Sequence, residues 1–285
     1  MSGRQGPWFV LPAILILAAF VVYPIIETVL LSVTDPSGAY VGLMNYQEVV
    51  ESGTTARAAN NTLYYVLLSI LFELILGIAA GILLNQRFRG LGAVRSMMLI
   101  PWVIPDIVAA TAWAWMYHTD FGVINQLLLM TGLLHEPVGW LTQSATVMPA
   151  LVAVHVWKVF PFVAIMVLAG LQAIPTSLYE AAQVDGAAFW DEVRHIMLPA
   201  LRSTITAITL LLLVNGFNSI TIVYAMTRGG PANRSLLTSI QIFKEAFEYS
   251  RFNQASALSI MFFIVVSTVI AIYVRWTAKQ ARADA

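Results

Sequence analysis

Residues 177–199 read SLYEAAQVDGAAFWDEVRHIMLP, a short amphipathic stretch that lies between two long apolar runs. Ser177 and Glu180 have the spacing of a capping box, which predicts a short helix that ends at about Val184. Asp185-Gly186 interrupts this helix, because glycine accepts the positive φ that a helix end often requires. The stretch therefore begins as a short helix followed by a tight turn.

A second short helix is predicted from about Ala188 to Met197, before the apolar run that follows. Phe189, Val193 and Ile196 are spaced i, i+4 and i+7, so they are expected to share one face of this helix. Two short helices cannot bury much apolar area by themselves, and an exposed apolar face marks a binding surface.

The chemistry of the polar side favours a protein as the partner of this stretch. Asp191, Glu192 and Arg194 lie on it, whereas a helix that docks on a membrane surface is typically rich in Lys and Arg. Docking on lipid stays the alternative interpretation.

The composition is that of an integral membrane protein. Of the 285 residues, 59% are hydrophobic and only 11% are charged, whereas soluble domains carry about 25% charged residues. The formal net charge is zero, so the charge balance gives no indication of a nucleic-acid partner.

Six apolar segments are long enough to cross a bilayer, since a helical span needs about 20 apolar residues. They do not alternate in polarity as β-barrel strands do. The predicted spans cover about 8–33, 61–84, 96–117, 146–170, 203–225 and 255–275. The sequence therefore predicts an all-α membrane protein that forms one domain over residues 1–285.

Several spans contain proline, including Pro101 and Pro105 in the third and Pro161 in the fourth. Each proline removes a backbone donor, and the freed carbonyl must then bond to protein or water. We expect either ordinary helix kinks or a bundle of bent helices around a cavity.

The distribution of Lys and Arg predicts the orientation, because cytoplasmic segments close to the membrane carry the excess of these residues. One side carries Arg4, Arg87, Arg89, Arg95, Arg194, Arg202, Arg275, Lys279 and Arg282. The other side carries Arg57, Arg228, Arg234, Lys244 and Arg251. The first set is predicted to be cytoplasmic, which places both termini and residues 177–199 in the cytoplasm.

The sequence contains no motif for chemistry of its own. It lacks a Gly-x-x-x-x-Gly-Lys-Ser/Thr phosphate loop, a Gly-x-Ser-x-Gly elbow and a His-Glu-x-x-His pair, and its four histidines are scattered. It has no cysteine, which excludes disulfides and thiolate metal sites. We expect no catalytic residue, no bound metal and no cofactor on this chain, so any hydrolysis must occur on another chain.

The opening stretch resembles the EAA cytoplasmic loop of the permease subunits of bacterial ABC importers. That pattern is Glu-Ala-Ala, three residues, Gly, nine residues, Ile, one residue and Leu-Pro. Residues 180–199 reproduce it at every fixed position. Segments 61–85 and 99–117 are also similar to the carbohydrate-uptake branch of this family. MTRGGP at 226–231 resembles the first permease of maltose-transporter-like heterodimers.

The resemblance implies the type I ABC importer permease fold in the bacterial cytoplasmic (inner) membrane. It implies that the loop 175–199 couples to an ATPase through Glu180, Ala181, Ala182, Asp185, Gly186, Phe189, Ile196, Leu198 and Pro199. The implied partners are a second homologous permease, a dimer of ATP-binding subunits that hold ATP and magnesium, an extracytoplasmic solute-binding protein, membrane lipid and a sugar or polyol solute.

The resemblance also implies where the solute binds. Positions that contact sugar in maltose-transporter-like permeases, or lie beside them, correspond to His155, Lys158, Val159, Phe162, Asn215, Gly216, Phe217, Asn218, Ser219 and Tyr224. Amide, hydroxyl and ammonium groups bond to sugar hydroxyls, and aromatic faces stack on sugar rings. The residues themselves leave open a different role, in which His155 and Lys158 pair with Glu73 or Asp106 inside the bundle.

Two alternatives to a sugar importer remain at this point. Lys158 is compatible with an anionic solute, such as a phosphorylated polyol like glycerol phosphate. Glu73, Asp106 and Lys158 are also the residue types that an ion-coupled secondary carrier uses as relays. Such carriers often contain inverted repeats, and the halves 1–140 and 141–285 show no convincing repeat.

Overall fold

The computed structural model describes the backbone of residues 6–86 and 88–283, and the side chains of 11–86 and 88–280. Among the cations used above to predict orientation, Arg4, Arg87 and the side chain of Arg282 lie outside these residues.

The described residues form helices joined by turns and short loops. In chain order they are α1 (Gly6–Leu17), a π-helical turn (Ala18–Val22), α2 (Tyr23–Ser32), α3 (Met44–Glu51), α4 (Thr54–Leu84), α5 (Leu91–Val103), α6 (Asp106–Met116), α7 (Val123–Met130), α8 (Val147–Gln172), α9 (Thr176–Val184), α10 (Phe189–Glu192), a π-helical turn (Val193–Met197), α11 (Leu198–Ala200), α12 (Arg202–Phe217), α13 (Thr221–Thr227), α14 (Thr238–Phe243), a π-helical turn (Lys244–Glu248) and α15 (Phe252–Ala283).

Five helical stretches of the described chain are long and apolar enough to cross a membrane, and α5 with α6 makes a sixth if the bent pair counts as one span. The five are Leu11–Ser32, Thr54–Asn85, Val147–Gln172, Arg202–Thr227 and Phe252–Gln280. All six overlap the segments predicted from hydropathy, and the all-α membrane fold is confirmed.

The helices group into two compact units. One comprises the residues up to 57 together with 238–269, and the other comprises 58–237 together with the residues from 270 onward. Whether the whole chain acts as one domain stays a prediction.

In the first unit, two buried amides hold the end of α2. The Asn45 side chain donates to the carbonyls of Ser32 and Thr34 at 3.0 and 2.9 Å. The Asn253 side chain, at the start of α15, donates to the carbonyls of Leu31 and Thr34 at 3.1 and 2.7 Å. Carbonyls at a helix C-terminus have no partner within the helix, so these bonds fix α3 and α15 to α2.

In the second unit, α4 and α8 pack with almost no space between their backbones. A Cβ atom built on Gly77 would lie 2.4 Å from Val163 Cγ1, and one on Gly81 would lie 2.6 Å from Val167 Cγ1. Only glycine fits at these two positions. Small residues one turn apart are a common device for close helix packing in membranes.

A buried apolar cluster joins α6, α8 and α13 in the same unit. Ala110, Ala150, Val154 and Ile222 form it together with Tyr117, and Trp113, Ile124, Trp140, Leu141 and Met226 pack against it. This cluster therefore packs α6 and α13 against the first half of α8.

Candidate functional site

The bend between α5 and α6 forms one wall of a cavity. α5 ends at Val103, α6 begins at Asp106, and their axes meet at 95°. Pro105 has no N–H and holds the preceding Ile104 in an extended conformation, with ψ 132°. The last carbonyls of α5 are therefore left without partners within the helix.

The Lys158 side chain of α8 satisfies these carbonyls. Its ammonium donates to the backbone oxygens of Pro101 and Trp102 at 3.4 and 3.3 Å, and to that of Ile104. It also lies 3.1 Å from Asp106 Oδ1 at the start of α6, where a carboxylate favourably meets the helix dipole. The broken span is thus fastened to α8 by one cation, whose charge Asp106 already compensates.

One helical turn before Lys158, His155 lies beside Glu73 of α4. His155 Nε2 is 3.4 Å from Glu73 Oε1, and the Glu73 side chain is 1% exposed. The His155 ring also packs on Tyr65, with centroids 5.2 Å apart, and the Tyr65 hydroxyl is 3.2 Å from Ser219 Oγ. Both pairings that the sequence left open are therefore present in the structure.

A second helix break faces the same cavity. α12 ends at Phe217 and α13 begins at Thr221, within one candidate span. The Asn215 and Asn218 amides donate to the carbonyls of Leu211 and Val214, four residues back, at 2.9 and 2.8 Å. Interrupted helices at membrane depth are tolerated where they line a cavity.

Together these elements enclose a cavity of about 440 Å³. Trp102 and Phe162 lie in its wall as a stacked pair, with ring centroids 5.6 Å apart and planes at 23°. The complete lining is Trp102, Asp106, His155, Lys158, Val159, Phe162, Leu212, Asn215, Asn218, Ser219, Ile220, Thr221 and Ile222.

The structure brings most of the sequence-predicted solute residues to this cavity, but not all of them. Gly216 and Phe217 are buried, and neither they nor Tyr224 is part of the lining. A Cβ on Gly216 would point toward Val66, at 3.4 Å from its methyl groups. Successive residues of a helix are turned by 100°, so neighbours of Asn215 and Asn218 face other helices.

Trp102 and Asp106 are the lining residues of most consequence that the sequence reasoning missed. Pro101 and Pro105 surround Trp102 in the sequence, and paired prolines in an apolar segment predict unwound backbone, around which polar groups converge. Asp106, which the sequence suggested only as a partner of Lys158 or as a relay group, both holds Lys158 and lines the cavity.

The segment 175–199 forms the two predicted short helices with a tight turn between them, and this unit is here called the elbow. α9 ends at Val184, Gly186 has φ +80°, and α10 begins at Phe189. No atom lies within 4 Å of a Cβ built on Gly186, so only the backbone conformation requires glycine there.

The predicted capping box at Ser177 and Glu180 is wrong. Pro175 is the N-cap of α9 and makes no side-chain cap bond, and the helix begins two residues earlier than the capping box predicts, at Thr176. Ser177 is therefore already inside the first turn, where its hydroxyl is no longer at the capping position.

The second half of the elbow is held by local polar contacts instead. Asp191 Oδ2 accepts a bond from the Ala188 N–H at 3.0 Å, and Gln183 Nε2 donates to Glu192 Oε1 at 3.2 Å. Burial of the Tyr179 phenol raises its pKa, and the negative charge of the nearby Glu192 carboxylate raises it further. The two short helices thus hold each other in place.

The face predicted from Phe189, Val193 and Ile196 is also only partly correct. Val193 and Met197 are buried, whereas Phe189 is exposed. A π-helical turn over Val193–Met197 precedes Pro199, and its wider spacing shifts the register of the face relative to a regular helix.

The outer surface of the elbow is apolar. Val184 and Trp190 are 87% and 75% exposed, and Leu178 and Phe189 are exposed beside them in the sequence. Of the predicted coupling residues, Ala182 and Ile196 are half-buried; Glu180, Ala181, Asp185, Gly186, Phe189, Leu198 and Pro199 are exposed.

Comparison with known proteins gives the family. The family "Binding-protein-dependent transport system inner membrane component" matches residues 73–283, which include the cavity and the whole elbow. The chain is a permease subunit of a binding-protein-dependent ABC importer. The permease is accordingly a multi-pass inner-membrane protein and not itself an enzyme, and an ion-coupled carrier is the wrong alternative.

Relatives of this permease extend over nearly its whole length. The trehalose/maltose transport system permease protein MalF of Thermococcus litoralis is 32% identical over 96% of this chain and 94% of its own. The sulfoquinovosyl glycerol transport system permease protein SmoG of Agrobacterium fabrum is 30% identical over 93% and 87%.

Solved structures share the fold of the permease. A chain of a bacterial ABC transporter involved in the import of alginate superimposes with a TM-score of 0.88, at 24% identity, over 97% of this chain and 96% of its own. The same kind of transporter has been solved in complex with a periplasmic protein bound to an alginate pentasaccharide. The predicted permease fold is confirmed.

Proposed function

We propose that this permease passes a sugar or a related uncharged polyol through the cavity between α5–α6, α8 and α12–α13. The observation that supports this most is the composition of the lining. A stacked aromatic pair, Trp102 and Phe162, lies beside the amides of Asn215 and Asn218 and the hydroxyl of Ser219. Aromatic rings stack on the apolar face of a sugar, and amide and hydroxyl groups bond to its hydroxyls.

The charge balance of the lining supports an uncharged solute. Lys158 is paired with Asp106 and bonded to three carbonyls of the bend. An ammonium that is compensated in this way has little attraction left for a second anion. A phosphorylated polyol such as glycerol phosphate is the second candidate, because Lys158 is nevertheless part of the lining.

The relatives support a sugar or a sugar derivative as the solute, and both uncharged sugars and a sugar that carries an anionic sulfonate occur among them. The Thermococcus litoralis relative is named for trehalose and maltose, and the Agrobacterium fabrum relative for sulfoquinovosyl glycerol. A cavity of about 440 Å³ is within the size range of sites for small molecules.

We further propose the composition of the importer. Two ATP-binding subunits, which hold ATP and magnesium, receive the elbow 175–199 through the exposed residues Val184, Phe189 and Trp190. A second homologous permease completes the membrane part, and an extracytoplasmic binding protein delivers the solute. Exposed aromatic residues of this kind are typical anchors of protein interfaces.

The test is uptake by the assembled importer in proteoliposomes, with labelled maltose, trehalose and glycerol 3-phosphate as probes. Trp102→Ala or Phe162→Ala should reduce uptake of the transported sugar about fivefold, since a lost aromatic stack is worth about 1 kcal/mol. The matched control is Trp115→Ala, which removes an exposed ring outside the cavity lining. Uptake of glycerol 3-phosphate alone would contradict the proposal and favour the second candidate.

A further inference from the structure

The short helix α7 has its polar and apolar sides reversed relative to a helix on a water-facing surface. Its inward residue is Asn125, which is 2% exposed. The Asn125 amide donates to the carbonyls of Thr119 and Val138, and its oxygen accepts from the Val138 N–H and from Trp140 Nε1. All four hydrogen-bonding capacities of this side chain are used, so it fastens α7 to the protein by its polar side.

The outward side of α7 is apolar apart from Gln126, which is also exposed. Val123, Leu127 and Met130 are 43%, 57% and 84% exposed, and Leu133 just beyond the helix is 72% exposed. The first three are spaced i, i+4 and i+7, which places them on one face. A face of this kind needs an apolar medium or partner against it.

The stretch that carries this face is uncharged, and the nearest carboxylates along the chain, Asp120 and Glu136, are exposed and flank it on either side. Residues 121–134 read FGVINQLLLMTGLL and contain no Lys, Arg, Asp or Glu. Protein interfaces carry a polar rim around their apolar centre, which this stretch lacks apart from Gln126 and Thr131. The absence of charge therefore favours hydrocarbon over a second protein.

The face also continues the exposed apolar surface of a spanning helix. α6, half of the bent spanning pair, exposes Ile107, Val108 and Trp115. The Trp115 ring packs edge-on against Phe121, with centroids 6.0 Å apart, just before α7 begins. Exposed aromatic rings at the end of a span are typical of the membrane–water interface.

From these observations we infer that α7, with Leu133, is an interfacial anchor that lies in the headgroup–acyl boundary of the predicted extracytoplasmic leaflet, with the lipid surface as its partner. Its eight residues extend over about 12 Å, far less than the about 30 Å of the hydrocarbon core, so it lies in the boundary and does not span. Ile124 on α7 packs on the cluster that contains Ile222 of the cavity wall. The anchor thus fixes the depth of this part of the cavity in the bilayer.

The anchor differs from helices that bind membranes by themselves. Those helices carry Lys and Arg on a polar face that remains in water. Here the polar side is bonded to the protein through Asn125, so electrostatic attraction to lipid is unnecessary. Insertion of α7 is therefore independent of anionic lipid.

Spin labelling tests the anchor, and the chain has no cysteine to remove first. In the importer assembled with its partner subunits in phosphatidylcholine vesicles, nitroxide labels are attached to Leu127→Cys and Met130→Cys. Collision with oxygen relative to nickel-EDDA should be several-fold higher at both than at Ser144→Cys, an exposed polar position of the same loop. Val108→Cys on α6 gives the reference for a lipid-facing site.

Any one of three results would overturn the inference. A ratio equal to that at Ser144 would place the face in water, and a label that neither reagent reaches would mean that a protein subunit covers it. Adding phosphatidylglycerol should leave the ratios unchanged, since the face is uncharged. A high ratio that appears only with phosphatidylglycerol would equally contradict an uncharged anchor.

Discussion

At the scale of single residues, Lys158 explains how the third span can break inside a membrane. A helix C-terminus in hydrocarbon leaves carbonyls unpaired, which is costly because no water is available to bond them. The ammonium of Lys158 reaches three carbonyls of the bend and the Asp106 carboxylate at once. Its first role is therefore to position the cavity wall.

The first prediction separates the carbonyl contacts of Lys158 from its ion pair. Lys158→Met leaves the carbonyls of the bend unsatisfied and should lower the free energy of unfolding by about 1–3 kcal/mol. Asp106→Asn keeps those contacts, and the Asp106 side chain is 48% exposed, so its loss should cost less. The measurement is the midpoint of thermal unfolding of the purified permease in detergent, and an equal loss in both variants would refute the carbonyl role.

The second prediction concerns the turn of the elbow. Gly186→Val forces a β-branched residue to φ +80°, which costs about 1–2 kcal/mol in backbone strain. Gly92→Val on α5 is the matched control, because Gly92 also has open space around its Cβ position but no positive φ. Solute-stimulated ATP hydrolysis of the assembled importer should fall at least about fivefold in the first variant only.

Normal stimulation in the Gly186 variant, with the complex intact, would show that the geometry of this turn does not carry the coupling. Loss of stimulation in both variants would instead assign the effect to valine at the cytoplasmic surface in general.

For single residues, the sequence predicted which side chains reach the cavity better than it predicted the contacts that they make there. The periodicity of α8 brought His155, Lys158 and Phe162 to the cavity as expected. It gave no indication that Lys158 would bond to carbonyls of another helix, since such contacts connect residues more than fifty positions apart. Ser177 illustrates the opposite error, a local motif overruled by the proline before it.

At the scale of elements, two glycines determine how closely α4 and α8 approach. The third prediction is that Gly77→Ala lowers the thermal midpoint by an amount that corresponds to about 1–3 kcal/mol, because its Cβ would lie 2.4 Å from Val163 Cγ1. Gly92→Ala, in open space, should leave the midpoint unchanged.

A compensating change provides the decisive control. Gly77→Ala combined with Val163→Gly removes both clashing atoms, Val163 Cγ1 at 2.4 Å and Val163 Cβ at 2.5 Å, and should recover part of the lost stability relative to Gly77→Ala alone. If the double variant shows the sum of two independent losses, close packing at Gly77 is not the cause.

The direction in which a helix continues after a break could not be predicted from the sequence. Hydropathy predicted one span over 96–117 and proline predicted a disturbance in it, but a proline only removes a hydrogen bond and does not set a direction. At the 95° bend between α5 and α6, the freed carbonyls bond to Lys158 of α8, a contact that hydropathy and proline do not predict. The π-helical turn before Pro199 likewise shifted the face that a regular period of 3.6 residues predicted for the second half of the elbow.

At the scale of the whole molecule, the apolar excess and the few charges were enough to predict the class of protein. The spans follow from length and hydropathy, which depend on the bilayer thickness and not on any contact. The EAA pattern at 180–199 is by itself specific enough to indicate the family. The solute could not be predicted in the same way, because residues from three separate spans and both helix breaks line the cavity.

The claim on which the function depends is that ATP hydrolysis on partner subunits, transmitted through residues 175–199, moves solute through this permease. The most direct measurement is solute uptake by proteoliposomes that contain either the complete importer or the permease alone, each with ATP or with a proton gradient. We predict uptake only for the complete importer with ATP, at more than tenfold the rate of every other combination. Gradient-driven uptake by the permease alone at a comparable rate, with no ATP-binding subunit present, would contradict it.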